Sequence, residues 1–137
     1  MIYIQRRENF SASHRLYNSS WTNEKNFDIF GKCSNKNGHG HNFQLIVTVK
    51  GNVNPETGFV MNLADLKSLI MSNIIDHVDH TNLNDDVEFL KGIIPSTENL
   101  AIAFWEILSP AINDHGAYLH CIRIIETENN SVEYFGK

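Results

Sequence analysis

The stretch GKCSNKNGHGHNFQLIVTVKG, residues 31–51, decides the fold class and raises the main functional question. From residue 39 onward a histidine or an apolar residue occupies every second position, which predicts a β-strand over residues 39–51. The side chains expected on one face of this strand are those of His39, His41, Phe43, Leu45, Val47 and Val49. Cys33 precedes this pattern in a part rich in Asn, Lys and Gly. The region is therefore either a metal site with a thiol beside it or a loop that holds three polar residues by coincidence.

Three more strands are predicted around this one. Residues 2–15 alternate in the same way and place His14 on the same face as Phe10. Residues 117–127 and 131–136 are expected to be two strands, joined near the sequence ENN, which is typical of a hairpin turn.

Two helices are expected between the second and third strands. Residues 62–78 carry apolar side chains at intervals of three and four residues, a pattern typical of a helix with one buried face. A second helix begins in the sequence PSTENLAIAFWEIL, residues 95–108, where Ser96 and Thr97 are good N-cap residues. Pro110 is placed to end or kink that helix.

The order of these elements predicts an α+β fold. Strand, strand, helix, helix, strand, strand gives a four-stranded antiparallel sheet covered by two helices. Residues 16–38, rich in Asn, Ser and Lys, are expected to form a long loop, and such loops are often functional. The length of 137 residues fits one domain, residues 1–137. The two open edges of such a sheet favour oligomerisation.

Composition and charge narrow the function classes. The formal net charge is -5 and the longest basic run is Arg6–Arg7, which argues against a nucleic-acid partner. No apolar run reaches the roughly 18–20 residues that span a bilayer, and the N-terminal residues do not resemble a signal peptide. We therefore expect a cytoplasmic protein with no membrane partner, in which Cys33 and Cys121 are reduced thiols.

The histidines have the spacing of a possible zinc site. Residues two apart on a strand point to the same side, with alpha carbons roughly 6.5–7 Å apart, so His39 and His41 can converge on one ion. If the first two strands pair, His14 can supply a third nitrogen. Three neutral ligands leave a fourth position for water or substrate, which is typical of catalytic zinc. Strand histidines without any metal are the alternative that this spacing leaves open.

Six segments carry a resemblance that extends over nearly the whole chain. They are FSASHRL (10–16), FGKCSNKNGHGHNF (30–43), NPETGFVMNLADLK (54–67), DHTNLN (79–84), PSTENLA (95–101) and ETENNSVEY (126–134). In this order and spacing they resemble the 6-pyruvoyl-tetrahydropterin synthase family.

The resemblance implies both a fold and a reaction. The fold is the tunnelling fold, in which three subunits close a twelve-stranded barrel and two trimers stack into a homohexamer with active sites at subunit boundaries. The reaction converts 7,8-dihydroneopterin triphosphate to 6-pyruvoyl-tetrahydropterin on the route to tetrahydrobiopterin. It eliminates triphosphate and is that of a carbon–oxygen lyase.

The resemblance also implies a zinc cofactor and a base. Zinc would be held by His14, His39 and His41, and it would acidify the substrate's side-chain hydroxyls and polarise the developing carbonyl. Cys33 would then remove the proton from the adjacent carbon. Positive charge from zinc or Lys32 would favour the thiolate form that this step needs.

Six further residues receive roles from the same resemblance. Asp79 and His80 would complete the catalytic group across a subunit boundary, where a histidine oriented by a carboxylate can shuttle protons near neutral pH. Glu126 would anchor the pterin, because a carboxylate can accept two parallel hydrogen bonds from the ring N3–H and the 2-amino group. The residues implied to line the pterin pocket are Ser96, Thr97 and Glu98.

Two rival functions are also compatible with the residues. One is 6-carboxy-5,6,7,8-tetrahydropterin synthase of queuosine biosynthesis, which shares the fold and substrate but releases acetaldehyde. Its bacterial members resemble C-x3-HGH, whereas the gap between Cys33 and His39 here is longer, as in the pyruvoyl branch. The other is a noncatalytic, zinc-stabilised assembly module, which explains the histidines but not the match at Cys33, Asp79 and Glu126.

Overall fold

The computed structural model describes residues 1–137 and contains one mixed sheet of five strands. The strands are β1 (Ile2–His14), β2 (His39–Gly51), β3 (Thr81–Asn82), β4 (Tyr118–Thr127) and β5 (Asn130–Tyr134). Their order across the sheet is β3-β1-β2-β4-β5. The pairs β1–β2, β2–β4 and β4–β5 are antiparallel, whereas the two-residue β3 runs parallel to β1.

The chain also forms three helices. They are α1 (Asn23–Phe30), α2 over residues 63–78 and α3 (Thr97–Asn113). α2 is α-helical over Leu63–Ile70, widens into a π-helical turn at Met71–Ile75 and ends with Asp76–Val78. None of these helices has both the length and the apolar composition that crossing a membrane requires.

The α+β class is confirmed, but the structure has five strands rather than four and three helices rather than two. The additional strand, β3, is only two residues long, and main-chain pairing with β1 defines it rather than any side-chain alternation. The additional helix, α1, lies inside the stretch predicted as a long loop. It is mainly polar and is capped by Thr22, which accepts a hydrogen bond from the backbone N–H of Lys25, so it lacks a clear apolar period.

The end of α3 also differs from expectation. Pro110 lies inside this helix and does not end it, because the helix continues to Asn113. Pro110 has no N–H to bond to the carbonyl of Glu106, four residues earlier, and Glu106 lies on the exposed face of the helix.

Aromatic stacking defines the register of the two longest strands. Phe10 of β1 lies opposite Phe43 of β2, and the two rings stack with centroids 4.8 Å apart. Phe104 of α3 closes the packing edge-on against Phe10 at 6.0 Å. All three side chains are almost fully buried. This register places His14 directly opposite His39 at the end of the same face.

Candidate functional site

Three histidines converge where β1 ends and β2 begins. His14 pairs with His39 in the β1–β2 register, and His41 lies two residues further along β2 on the same face. Their ligand nitrogens all lie within 4.8 Å of one another, and the Nε2 atoms of His14 and His39 are 3.2 Å apart. Tetrahedral ligands at about 2.0–2.1 Å from an ion would be about 3.3–3.4 Å apart. The three side chains therefore could hold a metal ion.

A backbone carbonyl fixes the tautomer of His14. The Nδ1–H of this buried imidazole donates to the carbonyl oxygen of Pro95 at 2.8 Å, since a carbonyl can only accept. The Nε2 atom is then unprotonated, and its lone pair is directed toward the other two histidines. Metal-binding histidines commonly have such an outer hydrogen bond, which orients the ring and raises its basicity.

His41 also indicates that the histidine cluster fits a cation. Its Nε2 atom is buried and has no hydrogen-bond partner. Leaving a buried polar atom unpaired costs about 1–3 kcal/mol, so native proteins rarely do so without a reason. A metal ion would provide the missing partner.

Burial also keeps these imidazoles in the form that binds metal. Removal from water lowers the pKa of His14 below its usual 6.5, against the opposing effect of the Pro95 carbonyl. Removal from water likewise lowers the pKa of His41, although the nearby Glu126 carboxylate opposes this shift. Both rings are therefore favoured as neutral donors at neutral pH.

The four residues expected to bind substrate line one cavity of about 460 Å³ next to the histidines. They are Ser96, Thr97, Glu98 and Glu126. Thr97 donates its hydroxyl hydrogen to Glu126 Oε2 at 2.6 Å. The Glu126 carboxylate oxygens lie 3.9 Å from the Nε2 atoms of both His14 and His41. A ligand held by this carboxylate would therefore lie beside the histidine cluster.

Cys33 lies in a short 3₁₀ turn, Gly31–Ser34, between α1 and β2. It is a free thiol and half-buried. Its carbonyl oxygen accepts a hydrogen bond from the backbone N–H of Leu16 at 2.8 Å, which holds the turn against the chain that leaves β1 after His14. The cysteine turn and His14, the first histidine of the cluster, thus lie at the same end of the sheet.

Asp79 and His80 are held at the open edge of β1, and their side chains are paired. His80 Nδ1 and Asp79 Oδ1 are 3.0 Å apart, while Asp79 Oδ1 also accepts from the backbone N–H of Ser11 at 2.9 Å. That backbone hydrogen bond, more than the imidazole, lowers the pKa of the Asp79 carboxyl. The His80 side chain is 83% exposed, so most of it faces away from the interior of this chain.

Comparisons with known proteins show the family of this chain. The model of the family described as 6-pyruvoyl tetrahydropterin synthase matches residues 3–137. The chain belongs to this family. It is 44% identical to the human protein named 6-pyruvoyl tetrahydrobiopterin synthase, over 98% of this chain and 91% of that one. The Dictyostelium discoideum protein of the same name is 45% identical, over 99% and 97% of the two chains.

A solved structure of a family member has the same fold. The Caenorhabditis elegans 6-pyruvoyl tetrahydropterin synthase superposes with a TM-score of 0.91 at 40% identity. The match covers 99% of this chain and 96% of that one. The five-stranded sheet and three helices are therefore the architecture of the synthase family.

Several groups that build the site could not be found from side-chain patterns. The Pro95 carbonyl orients His14, and the backbone N–H of Ser11 holds Asp79. Every residue type offers a carbonyl, and nearly every type an N–H, so nothing in the sequence marks these two. The hydrogen bond from Thr97 to Glu126 joins residues 29 apart, and the N-cap pattern around Thr97 gave no sign of it.

Removing one histidine should remove the metal. We expect His39→Ala to lower zinc content from about one ion per chain to near zero, measured by elemental analysis after dialysis. The affinity loss should exceed the roughly 10–100-fold that follows loss of an outer hydrogen-bond partner. His120→Ala, on the opposite face of the sheet, is the matched control and should keep its zinc. An undiminished metal content in the His39 variant would contradict the ligand assignment.

The metal-free protein should lose stability as the pH falls through 6.5. Histidines of the unfolded chain titrate near 6.5, whereas burial lowers the pKa of His14 and His41 in the folded chain. Between the lowered values and 6.5 the unfolded state binds more protons, so the free energy of unfolding decreases as the pH decreases.

Urea denaturation of the metal-free protein at several pH values from about 7.5 to 5.5 measures this dependence. His41→Gln removes one of the two groups and should flatten the curve. Equal pH dependence in the two proteins would show that burial of His41 does not shift its titration.

Proposed function

We propose that this protein is a zinc-dependent 6-pyruvoyl-tetrahydropterin synthase in one domain, residues 1–137. It would convert 7,8-dihydroneopterin triphosphate to 6-pyruvoyl-tetrahydropterin and release triphosphate, as a carbon–oxygen lyase. One observation carries the proposal: two of the three converging histidines, His14 and His41, lie 3.9 Å from Glu126, which also lines the neighbouring cavity. A metal and a pterin could therefore be held side by side.

His14, His39 and His41 would hold the zinc ion. Three neutral imidazoles are a common ligand set of catalytic zinc, and the unpaired Nε2 of His41 is consistent with a missing ligand partner. When bound, zinc supplies Lewis-acid chemistry that makes the hydroxyls of the substrate's side chain more acidic.

Glu126 would bind the pterin ring. Its carboxylate can accept hydrogen bonds from N3–H and the 2-amino group together. Thr97 already donates to Oε2, but each carboxylate oxygen has two lone pairs, so the acceptor capacity for the pterin remains. The cavity of about 460 Å³ falls within the about 300–1,000 Å³ of typical small-molecule sites. Ser96 and Glu98, at the start of α3, would line the same pocket.

Cys33 would act as the base. Its thiolate would take the proton from the side-chain carbon next to the hydroxyl, and the electron pair left on carbon would lead to expulsion of triphosphate. This role requires a free thiol, and both cysteines of the chain are free. A reducing compartment such as the cytosol is therefore part of the proposal.

Asp79 and His80 would complete the site of a neighbouring subunit. Their pairing gives a histidine oriented by a carboxylate, and the high exposure of His80 leaves it available to a partner. The open edges of β5 and of β1, which β3 covers over only two residues, are suited to strand pairing between subunits. We therefore include a homohexameric barrel, built from two trimers, in the proposal.

Product identification tests the function directly. The zinc-loaded protein, incubated with 7,8-dihydroneopterin triphosphate, should release triphosphate and yield the pyruvoyl pterin, identified by mass spectrometry. Release of acetaldehyde with a 6-carboxy pterin would instead identify the queuosine-pathway reaction. The absence of any turnover by the zinc-loaded hexamer would favour a noncatalytic assembly module.

The Cys33→Ala variant is the matched control for this assay. It should keep zinc content, circular dichroism and oligomeric size while turnover falls by at least about 100-fold, in line with the contribution of a positioned base. Normal turnover in this variant would mean that another group removes the proton.

The hydroxyl of Thr97 should matter for substrate affinity. Thr97→Val keeps the side-chain shape but removes the 2.6 Å hydrogen bond that orients Glu126. A lost hydrogen bond to a charged group costs about 1.5–3 kcal/mol, which corresponds to roughly a 10–150-fold increase in KM. Steady-state kinetics measure this change, and Thr48→Val, which removes a hydroxyl bonded to Gln5 on the opposite face of the sheet, serves as the control. An unchanged KM for Thr97→Val would show that Glu126 needs no orienting partner.

A further inference from the structure

We propose that Arg15 is a positioning residue that fixes the turn carrying Cys33 relative to the histidine cluster. The inference rests on the proposed function, in which Cys33 is the base. Arg15 follows His14 directly, and its Nε–H donates to the carbonyl oxygen of Ser34 at 2.8 Å. Because Ser34 follows Cys33, this one hydrogen bond links the residue that follows β1 to the turn that carries the thiol.

The acceptor end of this hydrogen bond is firmly built. Ser34 is buried, and its hydroxyl donates to the Gly31 carbonyl at 2.8 Å, which closes the turn around Cys33. Because Ser34 is buried and closes a compact turn, a shift of Arg15 would be passed through the Ser34 carbonyl to the whole turn. A displacement of Arg15 would therefore displace Cys33.

The donor end is held equally well. The side chain of Asn84 binds both backbone groups of Arg15. The backbone N–H of Arg15 donates to Asn84 Oδ1 at 2.7 Å, and the backbone carbonyl of Arg15 accepts from Asn84 Nδ2 at 2.8 Å. The guanidinium lies over the ring of Tyr17, 3.9 Å from the ring centroid. This contact with the Tyr17 ring restricts the movement of the guanidinium and so helps to keep the Nε–H directed at Ser34.

Two further contacts hold the same segment at the same place. The backbone N–H of Leu16 donates to the Cys33 carbonyl at 2.8 Å. Gly38 passes so close to the His14 carbonyl that a Cβ atom there would lie 2.7 Å from its oxygen, and its φ is +68°. The chain from Cys33 to His39 is therefore fastened to residues 14–16 near both of its ends. Only the link from Arg15 depends on a side chain that can be replaced without altering these backbone contacts.

Lysine is a poor replacement for this arginine. Its ammonium group is at the tip of a flexible chain and lacks a donor at the position of Nε, although it retains the charge. The proposed role therefore depends on guanidinium geometry. A role that depends on charge alone, such as attraction of the triphosphate, would be retained by lysine.

The experiment compares Arg15→Gln and Arg15→Lys with Arg123→Gln. Arg123 is an exposed arginine on β4, so its variant removes the same charge elsewhere. In both Arg15 variants we expect kcat to fall at least about 10-fold, because small misplacements of a catalytic group can cost up to about 100-fold. KM should stay within about threefold, zinc content should not change, and Arg123→Gln should behave as the wild type.

A readout without substrate separates this inference from the proposed function. The Leu16 amide, which bonds to the Cys33 carbonyl, should exchange with deuterium at least about 10-fold faster in Arg15→Gln because the turn loosens. Unchanged exchange would overturn the positioning role even if the wild type showed no turnover. Full kcat in Arg15→Lys, or a raised KM with normal kcat, would overturn it in favour of charge or substrate binding. A wild type without turnover would instead contradict the proposed function.

Discussion

The register between β1 and β2 is the constraint on which the rest of the structure depends. Side chains alternate between the two faces of a strand, so a slip of β2 by one residue would turn His39 and His41 to the face opposite His14. Stacking of Phe10 on Phe43 opposes such a slip, because the slip would separate the two rings and take Phe43 out of the core. The aromatic core thus stabilises the register in which His14 lies opposite His39, although the stacked rings are not part of the histidine cluster.

The start of α3 connects the histidine cluster to the neighbouring cavity. Pro95 precedes the helix and orients His14 through its carbonyl, while Thr97 in the first turn orients Glu126 through its hydroxyl. Both contacts come from one rigid segment, so a movement of this segment would disturb the imidazole and the carboxylate together. The proximity of these two groups is therefore a property of helix placement as much as of strand register.

Much of the fold follows from side-chain periodicity, and what does not follow depends on backbone groups. The alternation that begins at His39 predicts β2 with its observed bounds, and the same alternation places His14 on the matching face. β3 and α1 have too few apolar residues in a regular pattern to be predicted. The site is similar: the histidine cluster follows from spacing, whereas the pairing of Asp79 with His80 depends on Ser11, 68 residues away from Asp79, which no local pattern indicates.

The segment with Asp79 and His80 carries the only non-glycine residue with a positive φ, His80 at 60°. Such a conformation costs of order 1–3 kcal/mol and persists only where the surrounding structure imposes it. Here Ser11 imposes it from both sides, because its N–H binds Asp79 and its carbonyl accepts from the backbone of His80 at 2.6 Å. The fold thus maintains strain in order to present an exposed imidazole in one orientation. This cost is consistent with the role proposed for His80 in the site of a neighbouring subunit.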